Sequence, residues 1–320
     1  MSSVALIGSY LPRQCGIATF THDLAAAIVD NDANIDCSVV AMNDRAETYN
    51  YPPAVRFQIR QDRLNEYALA AGYLNLRDPD VVCLQHEYGI FGGQRGSFVI
   101  ELVRNLKMPL ITTLHTVLKD PQPEEYRILV QLSELSHKLV VMSERGADIL
   151  RTRYDVPESK IALIHHGIPD VTFLEMDPLK NKFVSDDQTM VLTFGLLSPG
   201  KGIEYMVEAL PEIVRAHPHV RYFVVGATHP HLMAESGEEY RLSLHLRAKE
   251  LGVSDHIVFH GRFLERDELL EIIRAAESYA TPYLNEAQVV SGTLAYALGA
   301  GQAVVSTPYW HAQALLADDR

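Results

Sequence analysis

Cysteine is scarce in this chain. Three residues in 320, Cys15, Cys37 and Cys83, form no even set and no CxxC pair, which excludes a disulfide framework and argues against a structural zinc site. Cys37 and Cys83 lie in apolar, strand-like runs and read as small buried hydrophobes. Long apolar runs are missing too: nothing approaches the ~20 residues that a membrane helix requires. The first apolar stretch, residues 4–8, has no basic segment before it and is too short for the core of a secretion signal. It reads as a buried first strand, and the cytoplasm is the expected location. Positive charge is also in deficit. With 28 Lys and Arg against 41 Asp and Glu, the formal net charge is −13, a balance that repels nucleic acids and anionic membranes. No nucleic-acid partner and no integral membrane segment are expected. Oligomeric state is not legible.

What the chain does have is a short apolar run followed by a helical stretch, many times over. The runs are 4–8, 37–42, 55–59, 81–85, 109–114, 138–143 and 160–167, with helical spacing at Ala18 to Val29, Arg63 to Leu76 and Glu124 to Ser136. Continuous Val/Ile/Leu runs indicate strands buried on both faces, and their alternation with helices indicates a parallel sheet. The pattern breaks at 171–188, where Pro178 and several charges show no period and a linker is expected. A second series follows at 190–195, 220–226, 256–261, 277–283 and 303–308, with helices expected near 202–216, 237–251, 266–276 and 291–300. The expected architecture is α/β: two doubly wound Rossmann-like domains in tandem, 1–170 and 189–320, joined by 171–188. An open sheet of this kind binds ligands beyond the carboxyl ends of its strands, so chemistry is expected in the loops that follow them.

Six such strand ends carry candidates. In 9–20, Gly16 near a helix start allows close backbone approach to a phosphate or sugar, or is only a turn glycine. Arg13 is a diphosphate or acceptor contact or a solvated arginine. The dinucleotide fingerprint GxGxxG is absent. In 85–96, His86, Glu87 and Tyr88 beside a glycine-rich turn suggest an acceptor pocket. Adjacent strand residues point to opposite faces, so His86 and Glu87 make no metal pair. His115 ends the fifth run. In 194–202, Gly195, Gly200 and Gly202 allow close approach and Lys201 can neutralise phosphate at a helix start. Gly202 stands where a Walker A loop needs Ser or Thr. Gly226 follows the next strand and suits a base or ribose contact. In 281–308, Ser291, Gly292 and Thr293 sit where loop meets helix, with amides and hydroxyls for a diphosphate or Ser291 as an ordinary N-cap. Glu286 and Gln288 just before are ribose candidates.

These motifs, FG..SPGKG, VVG, IVFHG, TPYLNE and GQAVVSTP in order, with LITTLHT in the first half, resemble glycosyltransferase family 4, the group 1 retaining glycosyltransferases of GT-B fold. The resemblance spans nearly the whole chain. It places the family lysine on Lys201, the active-site histidine on His115, the first-loop glycine on Gly16 and the P-S-x-x-E segment on Pro282 to Glu286. Three features depart from the family. Leu196 replaces the arginine usual after the strand glycine. The E-x7-E pair is incomplete, falling on Glu286 and Leu294 by one count and on Gln288 and Tyr296 by another. Family members usually continue beyond the point corresponding to Arg320, so the second domain is expected to be incomplete.

The resemblance implies retaining transfer of a hexose from a nucleotide-diphosphate sugar to a carbohydrate or other hydroxyl acceptor, with no metal and no cofactor beyond the donor itself. His115 and Lys201 would be catalytic. Gly16, Gly195, Gly202, Gly226, Glu286, Gln288, Ser291, Gly292 and Thr293 would meet the donor, and Arg13, His86, Glu87 and Tyr88 the acceptor. Two alternatives remain: a non-catalytic nucleotide-sugar or phosphate binder, favoured by the incomplete E-x7-E pair, and a GT-B epimerase acting on a UDP-sugar.

Overall fold

The computed structural model describes residues 2–45, 47–168, 170–171 and 177–316. The chain divides into two compact units, Met1–His165 and His166–Arg320.

The first unit runs β1 (Ser3–Gly8), α1 (Gly16–Asn31), β2 (Asp36–Asn43), β3 (Val55–Arg60), α2 (Leu64–Arg77), β4 (Val81–His86), α3 (Val99–Arg104), β5 (Leu110–Leu114), α4 (Pro123–Leu135), β6 (Lys138–Val141), α5 (Glu144–Tyr154) and β7 (Ile161–Leu163). Its seven strands pair in the order β3-β2-β1-β4-β5-β6-β7, every pair parallel. Alternate residues serve two separate cores, as a pleated strand with both faces covered must. Ala5 and Ile7 of β1 join Val82 and Leu84 of β4 on one face, while Val4 and Leu6 join Val39 and Ala41 of β2 on the other.

The second unit runs α6 (Asp177–Lys180), β8 (Thr189–Phe194), α7 (Ile203–Ala216), β9 (Val220–Val225), α8 (Pro230–Ser236), α9 (Glu239–Glu250), β10 (Ile257–His260), α10 (Arg266–Ala275), β11 (Ser278–Thr281), α11 (Gly292–Gly299), β12 (Ala303–Ser306) and α12 (Trp310–Leu315). Its five strands order β10-β9-β8-β11-β12, again all parallel. Helix α7 shows why the pattern is readable. Ile203, Val207 and Leu210, at i, i+4 and i+7, are fully buried against Tyr222 and Val224 of β9, worth about 1.5–3 kcal/mol each.

All twelve expected strands are present. The run 160–167 is shorter than expected: the strand stops at Leu163, and Ile164 makes the last ladder bond, to Val141. Helices α8 and α12, of seven and six residues, were not anticipated, because fewer than two turns cannot display a 3.6-residue period. Of the expected linker 171–188, residues 172–176 lie outside the described residues. The remainder packs on the second unit: Val184 is in its core, with Leu179 and Phe183 against it.

Both sheets reverse their winding once. In the first unit the reversal lies between β1 and β4, and in the second between β8 and β11. The crevice for a ligand opens beyond the carboxyl ends of these pairs.

Candidate functional site

At the reversal of the first unit, α1 starts directly after the β1 loop. Its first residue, Gly16, is exposed, and a side chain built there would meet nothing within 4 Å. Cys15 caps the helix, its Sγ accepting from Ala18 N–H. Arg13 is not a solvated arginine. It is buried, donates to the Met42 carbonyl at 3.1 Å and pairs with Asp44 at 3.2 Å, so it fastens the β1 loop to the end of β2.

The acceptor-pocket reading of 85–96 needs correction at His86. Its side chain lies in the core with no exposure, stacked on Phe91 and edge-on to Tyr88. Burial pushes its pKa down to about 3, so it is neutral at physiological pH and not available on the surface. Tyr88 is also buried, donating to the Glu125 carbonyl. Glu87 remains half-buried at the loop, where its carboxylate accepts from Thr116 Oγ1 at 2.6 Å and from Tyr88 N–H at 3.0 Å. Burial raises its pKa against those hydrogen bonds. His115 is half-buried just past β5, its N–H donating to the His86 carbonyl and its Nε2 lying 3.0 Å from Gln85 Oε1.

The second reversal is more elaborate. The loop after β8 and the loop after β11 are clasped together. Leu284 N–H donates to the Gly200 carbonyl. Gly202, at φ +64°, lies so close to the Pro282 carbonyl that a Cβ there would stand 2.0 Å from its oxygen. Between these backbone contacts Lys201 reaches across, donating to Tyr283 Oη with its Nζ 4.0 Å from the centre of the same ring. Thr293 Oγ1 then gathers three hydroxyls: Tyr283 at 2.7 Å, Tyr279 at 2.8 Å and Ser291 at 3.2 Å. Burial alone would raise the Tyr283 phenol. The Lys201 ammonium and the hydrogen bonds from Lys201 and Thr293 outweigh it, and the pKa lies below the ordinary tyrosine value. Tyr279 moves far above it, because it is buried and faces Tyr283.

Gly226 serves the scaffold: at φ +142° it is pressed against the Gly195 carbonyl, which accounts for it without a base or ribose. Ser291 caps α11, its Oγ accepting from Leu294 N–H. Its own N–H donates to Nδ1 of buried His311 at 2.9 Å, so this amide is not available to a diphosphate. The amides of Gly292 and Thr293 at the head of α11 are the better candidates. Glu286 is exposed, whereas Gln288 spends its amide nitrogen on the Val290 carbonyl. Leu294, where one count expects the second carboxylate, is fully buried in the core.

Tyr283, Tyr279 and His311 were missed in the sequence. A tyrosine two residues past the end of a switch-point strand was the available signal for Tyr283. The arrangement offers one cation, two amides at a helix head and a cluster of hydroxyls, the chemistry that a diphosphate requires.

Comparison with known proteins agrees with this geometry. The family model Glycosyltransferase Family 4 matches residues 15–171, and Glycosyl transferases group 1 matches residues 188–320. The chain is a glycosyltransferase family 4/group 1 protein. Among curated relatives, the D-inositol 3-phosphate glycosyltransferase of Segniliparus rotundus is 26% identical over 217 residues, 63% of this chain and 46% of that protein. The chain spans about half the length, or less, of the curated relatives it matches. Two solved structures share the fold. Sucrose-phosphate synthase from Thermosynechococcus elongatus superposes with a TM-score of 0.75 at 17% identity, covering 98% of this chain and 83% of that one. Anabaena HepE in complex with UDP gives 0.69 at 16% identity, covering 96% and 80%. The two parallel-sheet units are therefore the Rossmann-like domains of a GT-B glycosyltransferase fold.

Tyr283→Phe isolates one element of this cluster. It keeps the ring beneath Lys201 and removes only the oxygen that holds Lys201 and Thr293. Nucleoside diphosphate binding, measured by calorimetry, should weaken about tenfold, the worth of one hydrogen bond to a charged group. An unchanged Kd would mean that Tyr283 does not position them.

Proposed function

We propose that this protein transfers a hexose from a nucleotide-diphosphate sugar to a carbohydrate or other hydroxyl acceptor, with retention at the anomeric carbon. The observation that carries the reading is the clasped pair of switch-point loops in the second unit, with Lys201 held on Tyr283 beside the head of α11. Lys201 and the Gly292 and Thr293 amides would stabilise the charge that develops on the leaving diphosphate. That charge compensation comes from the protein, so the reading needs no metal. No protein nucleophile is assigned. The acceptor hydroxyl attacks on the face from which the diphosphate departs, a phosphate oxygen takes its proton, and His115 contacts the donor sugar. The UDP complex of HepE favours UDP as the first nucleotide to test. The protein would act in the cytoplasm; among the described residues no helix is long and apolar enough to cross a membrane.

A second reading is non-catalytic nucleotide-sugar binding, and one observation favours it. Leu294 occupies a buried core position, leaving no carboxylate there.

The test is a melting-point screen against UDP, GDP, ADP and their sugar conjugates, with and without EDTA. One nucleoside diphosphate at 100 times its Kd should add about 2.7 kcal/mol, equally in both buffers. A shift by none of them would overturn the reading, and one that EDTA removes would overturn metal independence. Slow hydrolysis of the donor sugar without acceptor distinguishes the enzyme from the binder, and the anomer first released, followed by NMR, reports retention or inversion.

A further inference from the structure

We propose that His229, in the loop after β9, is a further residue of the donor site, where its Nε2–H donates to the diphosphate beside Lys201. The proposal rests on the donor-site reading above.

The loops after β8 and β9 stay paired beyond their strands. Gly195 N–H donates to the Val225 carbonyl, Leu197 N–H to the Ala227 carbonyl and His229 N–H to the Leu197 carbonyl, so Leu197 and Thr228 form a parallel bridge. Thr228 is buried, and its hydroxyl donates to Glu238, which also accepts from Arg241 at 2.9 Å. The backbone of His229 is thereby tied to the stretch that turns at Ser198 into Lys201, whose N–H closes on the Ser198 carbonyl at 2.9 Å. In the sheet, β9 flanks β8 on the side opposite β11. The three strand ends therefore present, in order, His229, Lys201 and the Gly292 and Thr293 amides.

The ring is set for one task. His231 N–H donates to its Nδ1 at 3.3 Å, and a backbone N–H can only give a proton, so Nδ1 is the acceptor. Partial burial, His231 and the Lys201 ammonium, in that order, hold the pKa below the ordinary histidine value. The ring is neutral at physiological pH and carries its one hydrogen on Nε2. Among the described residues that hydrogen has no partner, and the residue is exposed. The Lys201 charge that disfavours a second cation here is the charge that draws a diphosphate in. A neutral N–H beside it adds a hydrogen bond to the anion without that repulsion.

Two substitutions separate this contact from the cap that His229 gives α8. Asparagine places an oxygen where Nδ1 stands and has nothing at the Nε2 position, so His229→Asn keeps the cap and loses the donor. Glutamine reaches the Nε2 position with an N–H but lacks the capping acceptor, so His229→Gln does the reverse. The probes are UDP, GDP and ADP, titrated calorimetrically into the full chain. For whichever of them wild type binds, His229→Asn should raise Kd about tenfold, as loss of one hydrogen bond to a charged group requires, at an unchanged melting point. His229→Gln should hold Kd within about threefold and melt lower, because an N-cap is lost and the hydrogen bond is kept. A native Kd in His229→Asn, or an equal rise in both variants, overturns the proposal and leaves the donor-site reading standing. Binding of none of the three by wild type overturns both.

Discussion

Lys201→Ala should abolish the melting shift given by the nucleoside diphosphate and lower kcat/KM by about 10²–10³-fold, the cost of removing one preorganised electrostatic stabiliser. Lys201 is the cation that the clasped loops of the second unit hold in place. Leu196 stands where the family's arginine would, so no neighbour in that loop shares the task. Its geometry is prepared before any ligand arrives, by the Tyr283 oxygen on one side and the Gly202 turn on the other. Preorganisation of this kind makes the loss large, because alanine leaves no charge that could be recruited at modest cost. The ligand-free protein should lose less in stability, since the half-buried lysine contributes one polar contact to Tyr283 rather than apolar core area. Calorimetry with the nucleotide found in the screen, together with initial rates, tests this. A variant that still binds with native affinity would move the phosphate site away from these loops.

Gly226→Ala should be the most destabilising single methyl addition tested at this site, by about 2–4 kcal/mol. Two effects combine. At φ +142° an L side chain is strained whatever surrounds it. The added carbon would also stand 2.0 Å from the Gly195 oxygen and 2.8 Å from its carbonyl carbon. Both atoms are backbone and cannot rotate away. Gly195 N–H is bonded to the Val225 carbonyl and Gly226 N–H to the His260 carbonyl, so relief requires parting the ends of three neighbouring strands. Thermal unfolding should show a drop of roughly 5–15 °C for a unit of this size. Gly16→Ala is the control, because its Cβ meets open space. Equal melting points for the two variants would contradict the close approach at Gly195.

Much of the fold was legible in the sequence for a physical reason. Parallel strands covered on both faces must be apolar throughout, so each appears as an unbroken run, and helices such as α7 repeat with a period that survives three or four turns. Strand order was less directly visible, yet the βα alternation already located the chemistry at strand ends. What escaped were contacts between segments far apart in sequence. Lys201 meets Tyr283 across 82 positions and Ser291 meets His311 across 20, and no local pattern encodes either. His86 was legible and was misread: it shares a face with Val82 and Leu84 by simple alternation, and that face is the core. The linker was drawn too long for a related reason. Charged and without period, 177–188 resembles a loop, yet Phe183 and Val184 fold back onto the second unit.

Helix α12 ties back to the β11 loop at its first residue, Trp310, whose backbone N–H donates to the Glu286 carbonyl. The chain has one tryptophan. Its indole emission is therefore a built-in optical reporter of the stretch that carries Glu286, Gln288 and Ser291, with no second fluorophore of its kind elsewhere to dilute the signal. Occupancy of that stretch can be followed in the unmodified protein, on the millisecond scale of a mixing experiment, before any product forms.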